Sequence, residues 1–178
     1  DLITFGTAAM FIEEDEEDED RFSTRHIGEV YISENNKGKV DTVFRKFKLT
    51  ARACIQQFGE KNVSKTTRGT AMKDPYEEVT ILHVVYPREN YDPRKKDNKN
   101  MPFASCYIEP DNKHEISQSG FNEFPYVVPR YLKASFEIYG RSPAMTALPD
   151  VKMLNEMSKT TIKAAQKQVD PPLLVPDD

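Results

Sequence analysis

The sequence predicts an α+β fold: a β-rich region, built as small antiparallel sheets or an SH3-like barrel with one short helix, followed by a long C-terminal helix. Two observations predict this order. The first two thirds contain short strand-like segments separated by turn signals such as residues 35–38. The last third contains a run without Gly or Pro at residues 151–169, enough for a helix of roughly 30 Å. We therefore expect a β-rich region at residues 1–141, a helical region at 142–169 and the start of a further, truncated region at 170–178.

Several segments of the first region alternate between apolar and polar residues or are rich in β-branched residues, which is typical of strands. Thr50 predicts the N-cap of the short helix at residues 51–58, and Gly59 predicts its C-cap. The expected strands form a hairpin from residues 2–12 and 21–32 with acidic residues in its loop, single strands at 40–49 and 79–86, a second hairpin from 103–108 and 115–119, and an edge strand at 126–132.

The signals for the long helix are proline residues next to capping residues. Ser142 followed by Pro143 is an N-cap with proline at the first helical position. Pro149 and Asp150 repeat the start signal, so we expect the helix itself at about residues 149–169, ending before the prolines that follow Asp170. A helix of this length should project from the small β-rich region.

Two faces of this helix differ in chemistry when residues are projected at about 100° each. A narrow stripe carries Lys152, Lys159, Lys163 and Lys167, and the broad opposite side carries Met153, Leu154, Met157, Ala164 and Ala165. The two alanines are small enough for another helix to approach closely. The lysines could face phosphates or acidic side chains, but spacing alone favours a solvated face. The stripe contains no aromatic residue, which argues against a stacking platform for single strands.

The charge is uneven along the chain. The net charge is −4, and eight of the 29 acidic residues form one run at residues 13–20, which leaves 21 acids against 25 bases elsewhere. Carboxylates can bind divalent cations, but the run lacks the glycine and the alternation of an EF-hand loop. A solvated, self-repelling loop tip is the favoured interpretation.

The sequence contains no recognisable catalytic motif. It has no phosphate-binding glycine loop, no zinc-protease motif and no close cysteine pair, and its three histidines are far apart. We expect His83 and Cys54 to be core residues, both cysteines to be reduced in a cytosolic setting, and no enzyme activity, cofactor or metal. No apolar run approaches the ~18 residues that cross a bilayer, and no signal peptide is visible.

The last third carries a specific resemblance. Residues 139–150 read YGRSPAMTALPD, residues 164–167 read AAQK and residues 170–176 read DPPLLVP. These motifs resemble the head-to-tail connector, or portal, family of short-tailed bacteriophages. Weaker similarity at residues 5–7, 41–45, 49–52 and 124–126 extends the resemblance over nearly the whole chain.

The resemblance implies a structural subunit of a twelve-fold ring at one capsid vertex, through which DNA is packaged and ejected. Residues 1–141 would be the wing, residues 142–169 the first stem helix, and residues 170–178 the start of the clip. The implied partners are copies of the chain, terminase, capsid or scaffold proteins, tail adaptor proteins and passing double-stranded DNA. The implied location is the virion, after assembly in the host bacterial cytoplasm. The family's returning stem helix, channel loop and C-terminal region are not present, so we expect a segment of a longer protein.

Two other classes remain open from the residues. A small β-barrel could recognise nucleic acid or a peptide through a groove lined by Phe121, Phe124, Tyr126 and Tyr131, although such residues more often lie in a core or interface. A hydrolase, including a metal-dependent nuclease, is disfavoured because no site constellation is visible.

Overall fold

A computed structural model describes residues 1–15, 19–95 and 97–171, and it confirms the α+β class. Helices and strands alternate irregularly along the chain. The helices are α1 (Leu2–Phe5), α2 (Ala51–Phe58), α3 (Lys65–Lys73) and α4 (Pro143–Val169). The strands are β1 (Ala9–Asp15), β2 (Glu19–Arg25), β3 (Val30–Glu34), β4 (Val40–Thr50), β5 (Glu78–Pro87), β6 (Phe103–Glu109), β7 (His114–Phe121) and β8 (Tyr126–Val127).

The strands form two antiparallel sheets. The smaller has the order β2-β1-β8, and the larger is a meander in the order β3-β4-β5-β6-β7. One hydrophobic cluster lies between the sheets and contains Phe11, Val43 and Val85, and a second, under α2, contains Cys54 and Ile81. Fully burying a side chain of this size contributes about 1.5–3 kcal/mol, so these clusters hold the two sheets and α2 together as one body.

The strongest local signals of the sequence are confirmed. Strands β4, β5, β6 and β7 cover the predicted segments. At the predicted turn, the Asn35 amide donates to the Lys39 carbonyl at 2.9 Å, and Gly38 has a φ of 71°. The Thr50 hydroxyl accepts a hydrogen bond from the Ala53 amide at 3.2 Å, as an N-cap should.

The first predicted hairpin is only partly correct. Residues 2–5 form α1 rather than a strand, because Gly6 adopts a φ of 77° and turns the chain before β1 begins. The predicted strand at 21–32 is split by a short 3₁₀ helix at Ile27–Glu29, so β2 lies in the smaller sheet and β3 in the larger. Strands β1 and β2 extend into the acidic run, and residues 16–18 at its centre lie outside the described part of the chain.

The predicted edge strand at 126–132 is shorter than expected. Only β8 is regular, and it does lie at an edge of its sheet. Proline has no amide hydrogen, so Pro129 cannot continue the ladder. Beyond β8 the segment makes isolated bridges, between Thr7 and Arg130 and between Leu132 and Arg141.

Helix α3 was not predicted: the described part of this region contains the short helices α1, α2 and α3 where the sequence indicated one. Its residues, KTTRGTAMK, have low helix propensity because they include two adjacent threonines and a glycine. The buried carboxylate of Glu109 holds its start: it accepts hydrogen bonds from the Ser64 amide at 3.1 Å, the Thr67 hydroxyl at 2.8 Å and the Asn112 side chain at 2.8 Å. A tertiary contact therefore stabilises α3 where its own residues have little preference for a helix.

The long helix begins six residues earlier than expected. It starts at Pro143, with the Ser142 hydroxyl accepting from the Met145 amide at 2.9 Å, and it continues through Pro149 instead of restarting there. Pro149 cannot donate to the Met145 carbonyl, but its fixed φ is compatible with the helix. The 27 residues extend about 40 Å at 1.5 Å per residue. Residues 172–178, which include most of the segment expected to begin the clip, lie outside the described part.

Candidate subunit-contact helix

Helix α4 leaves the body, and no described element packs along its length beyond the first turns. Residues 144–171 are all exposed, and among the described elements its main contacts are with α1, at its first turns. Isolated helices in water are marginally stable, and most helices in proteins are stabilised by packing of one face. Helix α4 buries none of its 27 residues against the described part of the chain, so its side chains are accessible along nearly its whole length.

The predicted apolar side of α4 is continuous and accessible. Met153, Leu154 and Met157 are 57%, 58% and 59% exposed. Met153, Met157 and Ala164 line one shallow surface together with Glu156, Thr160 and Thr161. Leu154 and Ala165 lie beside this surface on the same broad side at about 100° per residue.

A second apolar strip on α4 was missed by the sequence analysis. Val151, Ile162 and Val169 are exposed, and they project to within about 20° of one another on the helix circumference. This direction lies roughly 120–180° from Met153, Met157 and Ala164. The same projection of the sequence could have revealed it. Helix α4 thus offers apolar surface on two flanks, as a helix between two neighbours would require.

The four lysines of the predicted stripe are also exposed. Lys159 forms an ion pair with Glu156 at 3.1 Å, three residues earlier on the same helix. Lys152, Lys163 and Lys167 make no ion pair with any described residue. An exposed pair of this kind contributes only about 0.3–0.5 kcal/mol, so most of the positive charge remains available to solvent or another molecule.

The direction of α4 is set where two glycines cross. A Cβ on Gly6 would overlap the Gly140 carbonyl, and a Cβ on Gly140 would overlap the Gly6 carbonyl. This close approach lets the Gly140 amide donate to the buried Thr7 hydroxyl at 2.8 Å. The Ser142 hydroxyl donates to the Thr4 carbonyl at 2.8 Å. Helix α1 and the residues after it therefore clamp the base of α4.

The segment that leads into α4 is tied to the β3–β4 turn. The Arg130 guanidinium pairs with Glu34, and the Lys133 ammonium lies 2.7 Å from the same carboxylate. The Tyr139 hydroxyl accepts a hydrogen bond from the Ile32 amide at 3.2 Å. These contacts join the larger sheet to the start of the helix, so α4 leaves a fixed base.

The expectations for His83 and Cys54 are confirmed. His83 is buried, with Nε2 2.9 Å from the Ser105 hydroxyl and Nδ1 3.3 Å from the Tyr126 hydroxyl, and its ring stacks on Tyr107. Burial, and then the charges of Arg45 and Arg25, lower the pKa of His83 to about 3. Cys54 is fully buried, and burial is the main reason that its pKa is raised to about 11. Both are core residues.

The four aromatic residues of the alternative binding module do not line one groove: Phe121 and Phe124 border a depression that includes neither Tyr126 nor Tyr131. Tyr126 is buried, Phe121 and Phe124 pack against the core between the sheets, and Tyr131 alone of the four is strongly exposed. Within the described ranges, no three or more metal-ligating side chains are arranged to hold an ion. The described helices include none with the length and apolar character needed to span a membrane.

Comparison with known proteins agrees with the resemblance at the C-terminal helix and extends it. The portal protein of Salmonella phage epsilon15 is 37% identical over 179 aligned positions, which cover 98% of this chain. The probable portal protein of Bordetella phage BPP-1 is 33% identical over 179 positions, covering 99% of this chain. The chain spans 32% of the length of each of these relatives. Residues 1–178 also match the family described as bacteriophage head to tail connecting protein. The chain therefore belongs to the bacteriophage head to tail connecting protein family.

Proposed function

We propose that this chain is part of a portal subunit, which assembles with its copies into a ring at one capsid vertex. The ring would form the channel for DNA packaging and ejection and the attachment point for the tail. Its role is structural and not enzymatic. The observation that carries the proposal is the exposure of α4, whose apolar residues lie on two flanks of a helix with no cover along its length.

The proposed division of the chain has three parts. Residues 1–141 are the wing, residues 142–169 are the first stem helix, and residues 170–178 begin the clip. The ring is twelve-fold, its other partners are terminase, capsid or scaffold proteins and tail adaptor proteins, and double-stranded DNA passes without sequence-specific contacts. The subunit belongs to the virion at the portal vertex, after assembly in the host bacterial cytoplasm.

The energetics of α4 support packing between copies. Each exposed methionine, leucine or isoleucine that a neighbour covers contributes on the order of 1 kcal/mol. Met153 and Met157 on one flank and Val151 and Ile162 on the other could each contribute in this way. The small side chains of Ala164 and Ala165 would allow close approach of a neighbouring helix.

The lysine stripe is proposed to meet solvent or acidic side chains of an adjacent subunit. Strong phosphate contacts hold DNA through release of counterions, and a conduit with many such contacts would slow DNA movement. Contact with acidic side chains of an adjacent subunit would therefore explain the positive charge of the stripe, and the lysines need not line the channel.

The test is oligomeric state. In the full-length protein, replacing Met153 and Met157 by Asp should abolish the ring seen by mass photometry, because two charges would be buried between helices. Met72→Asp is the matched control, since Met72 is 81% exposed on α3, and this variant should still form rings. A normal ring in the Met153/Met157 double variant would refute α4 as the contact.

A further inference from the structure

A polar cleft of about 380 Å³ lies between the two sheets, and no residue of α4 lines it. Strand β2 contributes Arg21 and Arg25, β4 contributes Arg45, and β6 contributes Tyr107. Glu13 and Glu29 also line it. We refer to this site as the arginine cleft. The portal proposal uses none of these residues, so the inference below goes beyond it.

Arg45 is held in place by contacts on two sides. Its Nε and a terminal nitrogen lie 3.1 Å and 3.0 Å from one oxygen of Glu29. Its guanidinium also lies over the Phe47 ring, 4.0 Å from the ring centre. Only 16% of the side chain is exposed. Arg45 therefore provides a fixed positive charge at the wall of the cleft, already partnered by one carboxylate.

Arg25 differs because its hydrogen-bonding capacity is not satisfied. Its Nε is buried and has no hydrogen-bond partner among the described residues. Its guanidinium lies 5.5 Å from the centre of the Phe11 ring. Burial, and then the nearby charge of Arg45, lower the pKa of Arg25. A buried, unsatisfied donor on a charged group is unfavourable, and an anion paired with the Arg25 guanidinium would offset the repulsion from Arg45.

The charges of the cleft match a single monoanion. Three arginines face two glutamates, and Lys48, which also borders the cleft, forms an ion pair with Glu78 at 2.8 Å. Among the described residues that line the cleft, one positive charge therefore remains uncompensated. Guanidinium groups bind planar oxyanions through paired N–H donors, so the chemistry favours a carboxylate or a phosphate ester.

The shape of the cleft favours a protein side chain over duplex DNA. The cleft is a recess of about 380 Å³ between two sheets, and Arg25 is one of the residues that line it, so a phosphate held on the surface of a wide, stiff duplex fits it poorly. A glutamate or aspartate side chain is narrow enough to enter, and Phe47 and Leu49 provide apolar wall for its methylene groups. We propose that the arginine cleft binds one carboxylate presented by an acidic segment of a partner protein.

The test is binding of a fluorescein-labelled hexaglutamate peptide to the full-length protein at low salt, followed by fluorescence anisotropy. Saturable binding should weaken at least about tenfold in Arg25→Gln, because a hydrogen-bonded charge pair is lost. Arg25→Lys should also weaken binding, since lysine keeps the charge but lacks the planar fork. Arg94→Gln is the matched control in an exposed loop, and its binding should equal that of the native protein.

Four results would overturn the inference. Equal affinity for native protein and Arg25→Lys, or equal losses in Arg25→Gln and Arg94→Gln, would show attraction by charge alone. Tighter binding of a labelled hexathymidylate than of the peptide would show a phosphate site. Absence of peptide binding to the native protein would show that carboxylates of the chain itself, such as Glu13, already satisfy the cleft. Arg25→Lys keeps the test decisive if Arg25→Gln does not fold, and ring formation by native protein separates failure here from failure of the portal proposal.

Discussion

The body and α4 use similar apolar residues in opposite ways. Val43, Ile81 and Val85 have no exposed surface, whereas Met153, Leu154 and Met157 are each more than half exposed. In the body, the backbone hydrogen bonds of each strand are made with neighbouring strands of the same chain. In α4 the backbone hydrogen bonds lie within the helix, and its side chains stay exposed. The difference shows that hydrophobicity alone does not tell an intramolecular core from an intermolecular surface.

The largest expected contrast compares one truncation in each region. Ile81→Ala should lower the free energy of unfolding of the isolated chain by about 2–5 kcal/mol, because it leaves a cavity under α2. Leu154→Ala should change it by no more than about 0.5 kcal/mol, as is usual for exposed positions. Urea denaturation followed by circular dichroism measures both. A similar loss in the two variants would mean that α4 is packed within the chain.

The close approach of Gly6 and Gly140 joins the two regions, and substitution there should lower the free energy of unfolding nearly as much. Gly140→Ala should cost about 2–4 kcal/mol, because its Cβ would overlap the Gly6 carbonyl. Gly69→Ala is the matched control, because a Cβ there meets no atom and alanine favours the helix by about 0.5–1 kcal/mol. The melting temperature should therefore fall in Gly140→Ala and rise in Gly69→Ala when thermal unfolding is measured. A neutral Gly140→Ala would show that the base of α4 is not clamped.

A pH change should act on the body through His83. Its pKa is about 3 in the folded state and about 6.5 when unfolded, so below pH 6.5 the unfolded state binds the extra proton. Stability should fall by about 1 kcal/mol between pH 7 and pH 5.5. The free energy of unfolding of His83→Gln should not show this fall between pH 7 and pH 5.5, although the variant is less stable at both pH values. Urea denaturation at the two pH values measures this. An unchanged pH dependence in the variant would contradict a neutral, buried His83.

The smallest effect on folding should come from the lysine stripe. Replacing Lys159, Lys163 and Lys167 by Glu should alter the stability of the isolated chain by about 0.5 kcal/mol or less. In the full-length protein, the same change should reduce ring assembly in native mass spectrometry. Glu at Lys37, Lys61 and Lys65, all exposed on the body, is the charge-matched control. Normal rings with abolished DNA packaging would instead assign the stripe to the channel.

Local sequence signals predicted those elements whose causes are local. The caps at Thr50 and Ser142, the turn before β4, and the alternation along β4 each act within a few residues. The apolar side of α4 was predictable for the same reason, since helical projection depends on spacing alone. The second strip at Val151 and Ile162 was equally accessible to this projection. Its functional meaning depended on knowing that the whole helix is uncovered.

The tertiary structure decided what depends on distant residues. Helix α3 is held by Glu109, whose carboxylate contacts an amide 45 residues earlier, and the base of α4 depends on a hydrogen bond between residues 133 positions apart. The split of residues 21–32 between two sheets likewise depends on which strands are near. By itself the sequence determined strands β4 to β7, the helix α2 and a long C-terminal helix, because backbone preferences and caps act locally. Only the tertiary structure decided which apolar surfaces are buried, because burial depends on the positions of all the other elements.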